Sequence, residues 1–345
     1  MNIIQVVRRY GPVGGMERYV WELTRELRNL GHEVTVLCEV CLTEPIDGIT
    51  VHELGALRAR PRWLAYLRFS RRVENWLAAH PQTDSVIHSH ERLNSHHVTT
   101  FHGPPFVTVR DMPWWRKVSL RVAMLFYLER RELRVTQHIV PNSGFIQHQL
   151  ADYYPEFAAK LTAPIVPGVV SGTQRPARLV AKDGGVIGFV GKEWQRKGLP
   201  LAVEIVAQLR QTRPQLQFVV IGVPPADIQS LFADWQGGYQ LLGWHPNAPY
   251  PDFDVLLHPA KSEPYGMVIS EAMAATVPVV ISDRCGAAAQ VSPDSGEVLS
   301  LDAPVADWVA AVQNQLNRTT PVPPFVRSWQ DMAREYEAVY RRVIR

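Results

Sequence analysis

Short apolar runs alternate along this chain with stretches of helical period. Ile3 to Val7, Glu33 to Leu37, Ser85 to His88, Val98 to Phe101 and Ile139-Val140 recur through the first half. Val186 to Val190, Phe218 to Ile221, Val255 to Leu257 and Val279 to Ile281 recur through the second. Runs this short and this apolar predict strands buried on both faces, as in a parallel sheet. Between the first two, Met16 to Leu30 predicts a helix whose stripe is Val20, Leu23, Leu27 and Leu30, stopped by Gly31. Strand, loop, helix and strand in that order make a βαβ unit. A second helix is predicted from Leu199 to Arg210, and a last one begins at Ser328, a good N-cap, with Met332, Tyr336, Val339 and Tyr340 on its stripe. Pro164, Pro167, Gly168 and Pro176 break the pattern in the middle of the chain, where a linker is expected.

Composition narrows the class. A chain of 345 residues, 46% hydrophobic and 20% charged, suits two globular domains. The net charge of +3 is too small to suggest nucleic acid as a partner. Three cysteines cannot build a disulfide framework, and Cys38-Glu39-Val40-Cys41 follows a strand instead of opening a helix, so neither redox nor zinc chemistry is expected of it. The run from Met1 to Val7 is too short for a signal peptide, and no apolar run is long enough to span a membrane. A cytoplasmic protein is expected.

Candidate chemistry concentrates in the second half. After the run Val255 to His258, Pro264 and Gly266 mark a turn and Met267 onward favours helix. The amides of Gly266, Met267 and Val268, following Tyr265, would open that helix and suit an anion. Glu263 lies in the loop and Glu271 about one turn inside the helix, so that both can face one pocket. Amides for phosphate and a carboxylate for ribose hydroxyls together suggest a nucleotide-sugar. Lys192, Arg196 and Lys197 lie between another strand and helix, a placement suited to a diphosphate. In the first half, Gly14 and Gly15 precede the first helix without forming a dinucleotide fingerprint. Five histidines between His88 and His102 invite a metal reading, but their spacing is loose and no metal or other cofactor is expected. Asp252-Phe253-Asp254 is read as the start of a strand, not as a metal motif.

The stretch SEPYGMVISEAMAATVPVV, with its Glu-x7-Glu spacing, resembles the signature of retaining glycosyltransferases of family 4, which have the GT-B fold. The resemblance runs through most of the chain. Gly185 to Gly198 resembles the family's cationic loop with Lys192 in place of the usual Arg, Gln240 to His245 its base-reading segment, and Thr100 to Gly103 a strand end presenting His102. The family implies two doubly wound parallel-sheet domains, Rossmann-like, with a C-terminal helix crossing back. Residues 1–165 with 328–345 would bind acceptor, residues 177–327 would bind donor, and 166–176 would link them. It implies transfer of a hexose from a nucleotide-sugar, UDP-linked, to a saccharide hydroxyl. His102, Glu263, Lys192 and Lys197 would be catalytic. Gly14, Gly15, Arg196, Trp244, Tyr265, Gly266, Met267, Val268 and Glu271 would bind donor.

Two stretches, residues 57–77 and 110–134, interleave arginines with Trp63, Tyr66, Phe69, Trp76, Trp114 and Trp115. They fit either an anionic membrane interface or amphipathic helices whose aromatics face the core. With the first half's similarity to lipopolysaccharide-core hexosyltransferases, they suggest a lipid-anchored acceptor and a peripheral position on the inner face of the cell membrane. A soluble or other lipid-linked glycan as acceptor, an epimerase, and a non-catalytic nucleotide-sugar-binding module are the alternatives.

Overall fold

The structure is a computed structural model that describes residues 1–56, 60–81, 84–111, 119–170, 172–245 and 248–344. Arg58, Trp114, Trp115, Arg116 and Lys117 of the two basic-aromatic stretches lie outside the described residues. The chain divides into two compact units, Met1–Gly168 with Arg327–Arg345, and Val169–Val326.

In the first unit, β1 (Asn2–Val6), β2 (Arg9–Tyr10), α1 (Gly15–Asn29), β3 (Glu33–Cys38), β4 (Val40–Cys41), β5 (Ile49–Glu53) and α2 (Arg62–Ala79) come first. β6 (Ser85–Ser89), β7 (Val98–Phe101), α3 (Leu120–Val135), β8 (His138–Pro141) and α4 (Gly144–Tyr153) follow. The main sheet runs β5-β3-β1-β6-β7-β8, and every pairing is parallel. α1 buries Tyr19, Val20, Leu23 and Leu27, close to the stripe read from sequence, and Gly31 at φ +86 turns the chain out of it. The pair β2–β4 was not predicted. Two-residue strands carry no periodicity, and this pair forms because Arg8 O accepts from the amides of Glu39 and Val40.

The second unit holds β9 (Val186–Val190), α5 (Leu199–Arg210), β10 (Gln217–Ile221), the one-turn α6 (Pro225–Ile228) and β11 (Tyr239–Gly243). It continues with β12 (Val255–His258), α7 (Met267–Ala274), β13 (Val279–Ser282), β14 (Gly296–Leu299) and α8 (Val305–Leu316). Its sheet, also parallel throughout, runs β11-β10-β9-β12-β13-β14. Phe189, Phe218, Leu257, Val280 and the fully buried Trp308 lie in one core beneath it. α9 (Trp329–Val343) then returns to the first unit and packs on α1. Its first turn is capped by the Ser328 hydroxyl, which accepts from the Asp331 amide at 3.0 Å.

Each sheet reverses its order once, between β1 and β6 in the first unit and between β9 and β12 in the second. In open α/β sheets the carboxyl ends of the strands at such a reversal are where ligands bind.

Asp254, at the start of β12, is buried and has no metal-binding geometry. It accepts from Arg175 at 2.6 Å, Arg178 at 2.9 Å and the Val186 amide at 2.8 Å, tying the segment that enters the second unit to its sheet. Removing one partner of a buried ion pair strands the other charge. Asp254→Ala is therefore expected to destabilise the second unit by about 3 kcal/mol, and urea unfolding followed by tryptophan fluorescence measures it.

Candidate active site

At the reversal in the second unit, the loop after β9 meets the loop after β12. Lys261 N donates to Arg196 O at 2.8 Å, and the Arg196 guanidinium reaches the carbonyl oxygen of Ser262. Gly198, at φ +81, opens α5 with its backbone against the Pro259 carbonyl, so close that a side chain there would collide with it. Gly191 likewise lies under the Lys197 stem, which occupies the space a Cβ would need. These contacts aim Lys197 at Glu263, and Nζ donates to Oε2 at 2.7 Å.

Glu263 is buried and surrounded by cations. Arg196 Nη1 is 3.5 Å from the same oxygen, and His258 Nε2 is 3.6 Å away, too long for a hydrogen bond. Burial by itself would raise the carboxyl pKa, but His258, Lys197 and Arg196 together pull it well below the usual carboxylate range. His258 is fully buried, and that desolvation lowers its pKa and favours the neutral ring. His258 escaped the sequence reading because it ends an apolar run and looks like any strand residue.

The remaining candidate residues of the second unit divide into scaffold and surface. The Tyr265 side chain is buried, its hydroxyl 2.7 Å from Ser270 Oγ. Gly266, in the left-handed region, precedes α7, whose first residues Met267 and Val268 are half-buried. Glu271 accepts from the Tyr250 hydroxyl at 2.6 Å. Lys192 is exposed, with Nζ 6.0 Å from the Trp244 ring centre. Trp244 itself is 65% exposed.

In the first unit, a cavity of about 600 Å³ opens over the carboxyl ends of β1, β6 and β7. Arg8, Arg9, Arg62, His90, Glu91 and His102 are among its lining, and Met16 and Glu17 contribute from the start of α1, just after Gly14 and Gly15. Sequence reading identified His102 here and missed Glu91 and Glu132. Burial raises the Glu91 carboxyl to about 7 against the pull of Arg8, and raises Glu132 to about 8 against that of Arg92. His102, half-buried at the cavity, is lowered to about 3 by desolvation and stays uncharged. His88 and His90 belong to the same buried cluster, and they and the buried His96 are each lowered by desolvation. Among the described residues no group of three potential ligands could hold a metal ion. Burial also raises the Cys38 thiol to about 12, which keeps it protonated and unreactive.

Residues 13–169 match the model of Glycosyltransferase Family 4, and residues 184–318 match that of Glycosyl transferases group 1. The chain is a GT-B glycosyltransferase. Among its relatives is the D-inositol 3-phosphate glycosyltransferase of Jonesia denitrificans, 26% identical over 90% of this chain and 84% of that protein. Glycogen synthase of Mycobacterium tuberculosis is 23% identical over 92% and 86%. Solved structures share the fold. WaaG, involved in lipopolysaccharide biosynthesis, superposes with a TM-score of 0.78 at 17% identity, covering 97% of this chain and 95% of that one. Anabaena HepE, solved in complex with UDP-glucose, gives 0.67 at 14%, covering 99% and 98%.

The Glu263 carboxylate links this glycosyltransferase's stability to pH. Its folded pKa lies below the unfolded value of about 4.3, so its ionisation favours the native state above that value. The contribution disappears as pH falls through the folded pKa. Glu91 and Glu132, shifted upward, act with opposite sign between about 4.3 and 8, equally in any variant that leaves them alone. Glu263→Gln is expected to show a shallower loss of stability below about pH 4 than the native chain. Urea midpoints measured across pH check this, and superimposable acid limbs would contradict the electrostatic account of the site.

Proposed function

We propose that this glycosyltransferase moves a hexose from a uridine diphosphate sugar to a saccharide hydroxyl with retention of anomeric configuration. The observation that carries the reading is Lys197 aimed at Glu263 at the β9/β12 reversal. An ammonium has three N–H donors, of which Glu263 uses one, leaving two for a diphosphate. In this reading Lys197, with Lys192 and Arg196 nearby, offsets the charge that grows on the departing diphosphate. The amides after Tyr265 contact its oxygens, with Gly266, Met267 and Val268 as donors. Glu263, kept ionised, faces the positive charge that develops on the transferred sugar, and Glu271 takes the ribose. Trp244 borders the base. Gly14 and Gly15 bind donor, and His102 meets the transferred sugar.

The UDP assignment draws support from HepE, whose structure holds UDP-glucose. For the acceptor we favour lipopolysaccharide core, in line with the fold shared with WaaG. The inositol-phosphate relatives favour a small phosphorylated polyol as the second reading.

Incubation with UDP-hexoses and truncated core saccharide, followed by NMR of the product anomer, tests the whole reading. A product of inverted configuration, or no transfer from any nucleotide-sugar, would sink it. Lys197→Ala is expected to weaken donor binding ten- to a hundredfold, because a charge-assisted contact to phosphate is worth roughly 1.5–3 kcal/mol. Isothermal titration with UDP reads this directly.

A membrane-facing surface is part of the same proposal, and the packing narrows it to α3. On α2, Tyr66 and Phe69 are buried, and Trp63 and Trp76 are half-buried against the core. On α3, Leu120 is 69% and Tyr127 54% exposed, on a face that also carries Arg130 and Arg134. No helix among the described residues is long and apolar enough to cross a membrane. Binding to vesicles containing anionic lipid is expected to weaken as salt rises and to drop in Leu120→Ser/Tyr127→Ser. Binding that is absent, or indifferent to lipid charge, would rule the surface out.

A further inference from the structure

Beneath the cavity of the first unit runs a chain of eight hydrogen bonds that starts at His102. His102 Nε2 lies 2.8 Å from His90 Nδ1, and His90 Nε2 lies 2.8 Å from Gln5 Oε1. Gln5 Nε2 is 2.9 Å from the Tyr340 hydroxyl, which is 2.7 Å from His88 Nδ1. His88 Nε2 is 2.8 Å from Thr100 Oγ1, and Thr100 is 2.7 Å from the Tyr336 hydroxyl. Tyr336 is 2.8 Å from the Tyr19 hydroxyl, which donates to Ile165 O at 3.0 Å. Every member between His102 and Ile165 is buried.

Each hydroxyl has one hydrogen and each neutral imidazole one N–H. Only one arrangement then gives every contact a proton. A carbonyl can only accept, so Tyr19 donates to Ile165 and must accept from Tyr336. Tyr336 in turn accepts from Thr100, and Thr100 from His88 Nε2–H. The bare His88 Nδ1 accepts from Tyr340, whose oxygen is then left to accept from the Gln5 amide nitrogen. That turns the Gln5 oxygen toward His90 Nε2–H. His90 Nδ1 is therefore bare and accepts from His102 Nε2–H. The low imidazole pKa values, produced by desolvation, agree with neutral rings throughout. Reversing every bond satisfies all contacts except the last, because Ile165 would then receive nothing.

We propose that this relay, routed through Tyr336 and Tyr340 of the C-terminal helix, fixes His102 as the tautomer with a bare Nδ1, so that the cavity recognises a sugar hydroxyl that donates to it. Tyr19, Tyr336 and Tyr340 are positioning residues in this scheme. The proposal rests on the reading that the cavity lined by His102 binds a sugar. Discrimination by protonation state is sharp. Fluorine in place of the hydroxyl can accept a hydrogen bond but cannot donate one, so it meets a bare nitrogen with nothing to offer.

The two directions of the chain make opposite predictions, and Tyr19→Phe switches between them. Without the Tyr19 oxygen, the forward direction leaves the Tyr336 hydrogen with no acceptor, whereas the reversed direction satisfies every remaining contact. Tyr336→Phe strands the Thr100 hydrogen in the same way and serves as the second variant. The measurement is 15N NMR of histidine-labelled protein, with the His102 signals assigned by their loss in His102→Gln. Native protein is expected to show Nδ1 as an unprotonated imine nitrogen, and both variants to show Nδ1 carrying the proton. Thermal unfolding establishes that the variants are folded. A protonated Nδ1 in native protein, or an unchanged tautomer in both folded variants, overturns the relay. Kinetics are read separately, with a panel of monofluorinated UDP-sugars. One member is expected to be discriminated against on the order of fivefold by the native enzyme, and this discrimination is expected to shrink in Tyr19→Phe. If the tautomer switches while the discrimination does not change, the relay stands and the sugar reading of the cavity fails.

Discussion

A parallel sheet whose crossovers pass to opposite faces must reverse its order somewhere. At that reversal the carboxyl ends of two adjacent strands carry loops that diverge, leaving a crevice that no helix covers. Both units of this glycosyltransferase are built on that constraint. In the second, the diverging loops bring Lys197, Arg196 and Glu263 together, and the glycines at 191 and 198 are the conditions for their close approach. In the first, β1 and β6 diverge and the cavity lined by His90, Glu91 and His102 opens above them. The chemistry differs while the architecture repeats. The second unit gathers formal charges around one buried carboxylate, and beneath His102 the first keeps a network of neutral polar groups.

That difference explains what sequence alone could reveal. Strands such as Val186 to Val190 and helices such as α1 and α9 announce themselves by period, because burial on a sheet face or a helix stripe is a local demand. Glu263 and Lys197 were legible as neighbours because they occur in a recognisable local order around a strand, a turn and a helix. Glu91 was not, since a carboxylate in a loop looks ordinary until the fold buries it beside Arg8. Nor was the partnership of Gln5, His88, Thr100 and Tyr340, drawn from residues as much as 335 positions apart in the chain. The histidines were noticed, but a metal site and a buried hydrogen-bond network share a composition, and only the bond directions separate them. Aromatic content left two readings open for α2. Tyr66 and Phe69 of α2 face the core, as helix periodicity allows and composition cannot tell.

The electrostatics of the two sites also impose different tolerances. Around Glu263 the attraction is long in range, so modest shifts of Arg196 or Lys197 alter the carboxyl group by degrees. A chain of single-proton bonds has no such latitude. Each donor fixes the next, and loss of one oxygen affects groups several residues away.

The return of α9 has a consequence for the order in which the protein comes into being. Its buried Trp329, Met332, Tyr336 and Tyr340 complete the core of the first unit, yet they are made only after the whole of the second. The second unit is contiguous in sequence, with all of its strands and helices available earlier. During synthesis the nascent amino-terminal sheet must therefore wait, with the polar side chains under β6 and β7 still hydrated, while the later-made unit closes first. The first unit completes its core only once α9 has emerged, and a nascent chain stalled short of Tyr336 would carry a closed second unit and an open first one.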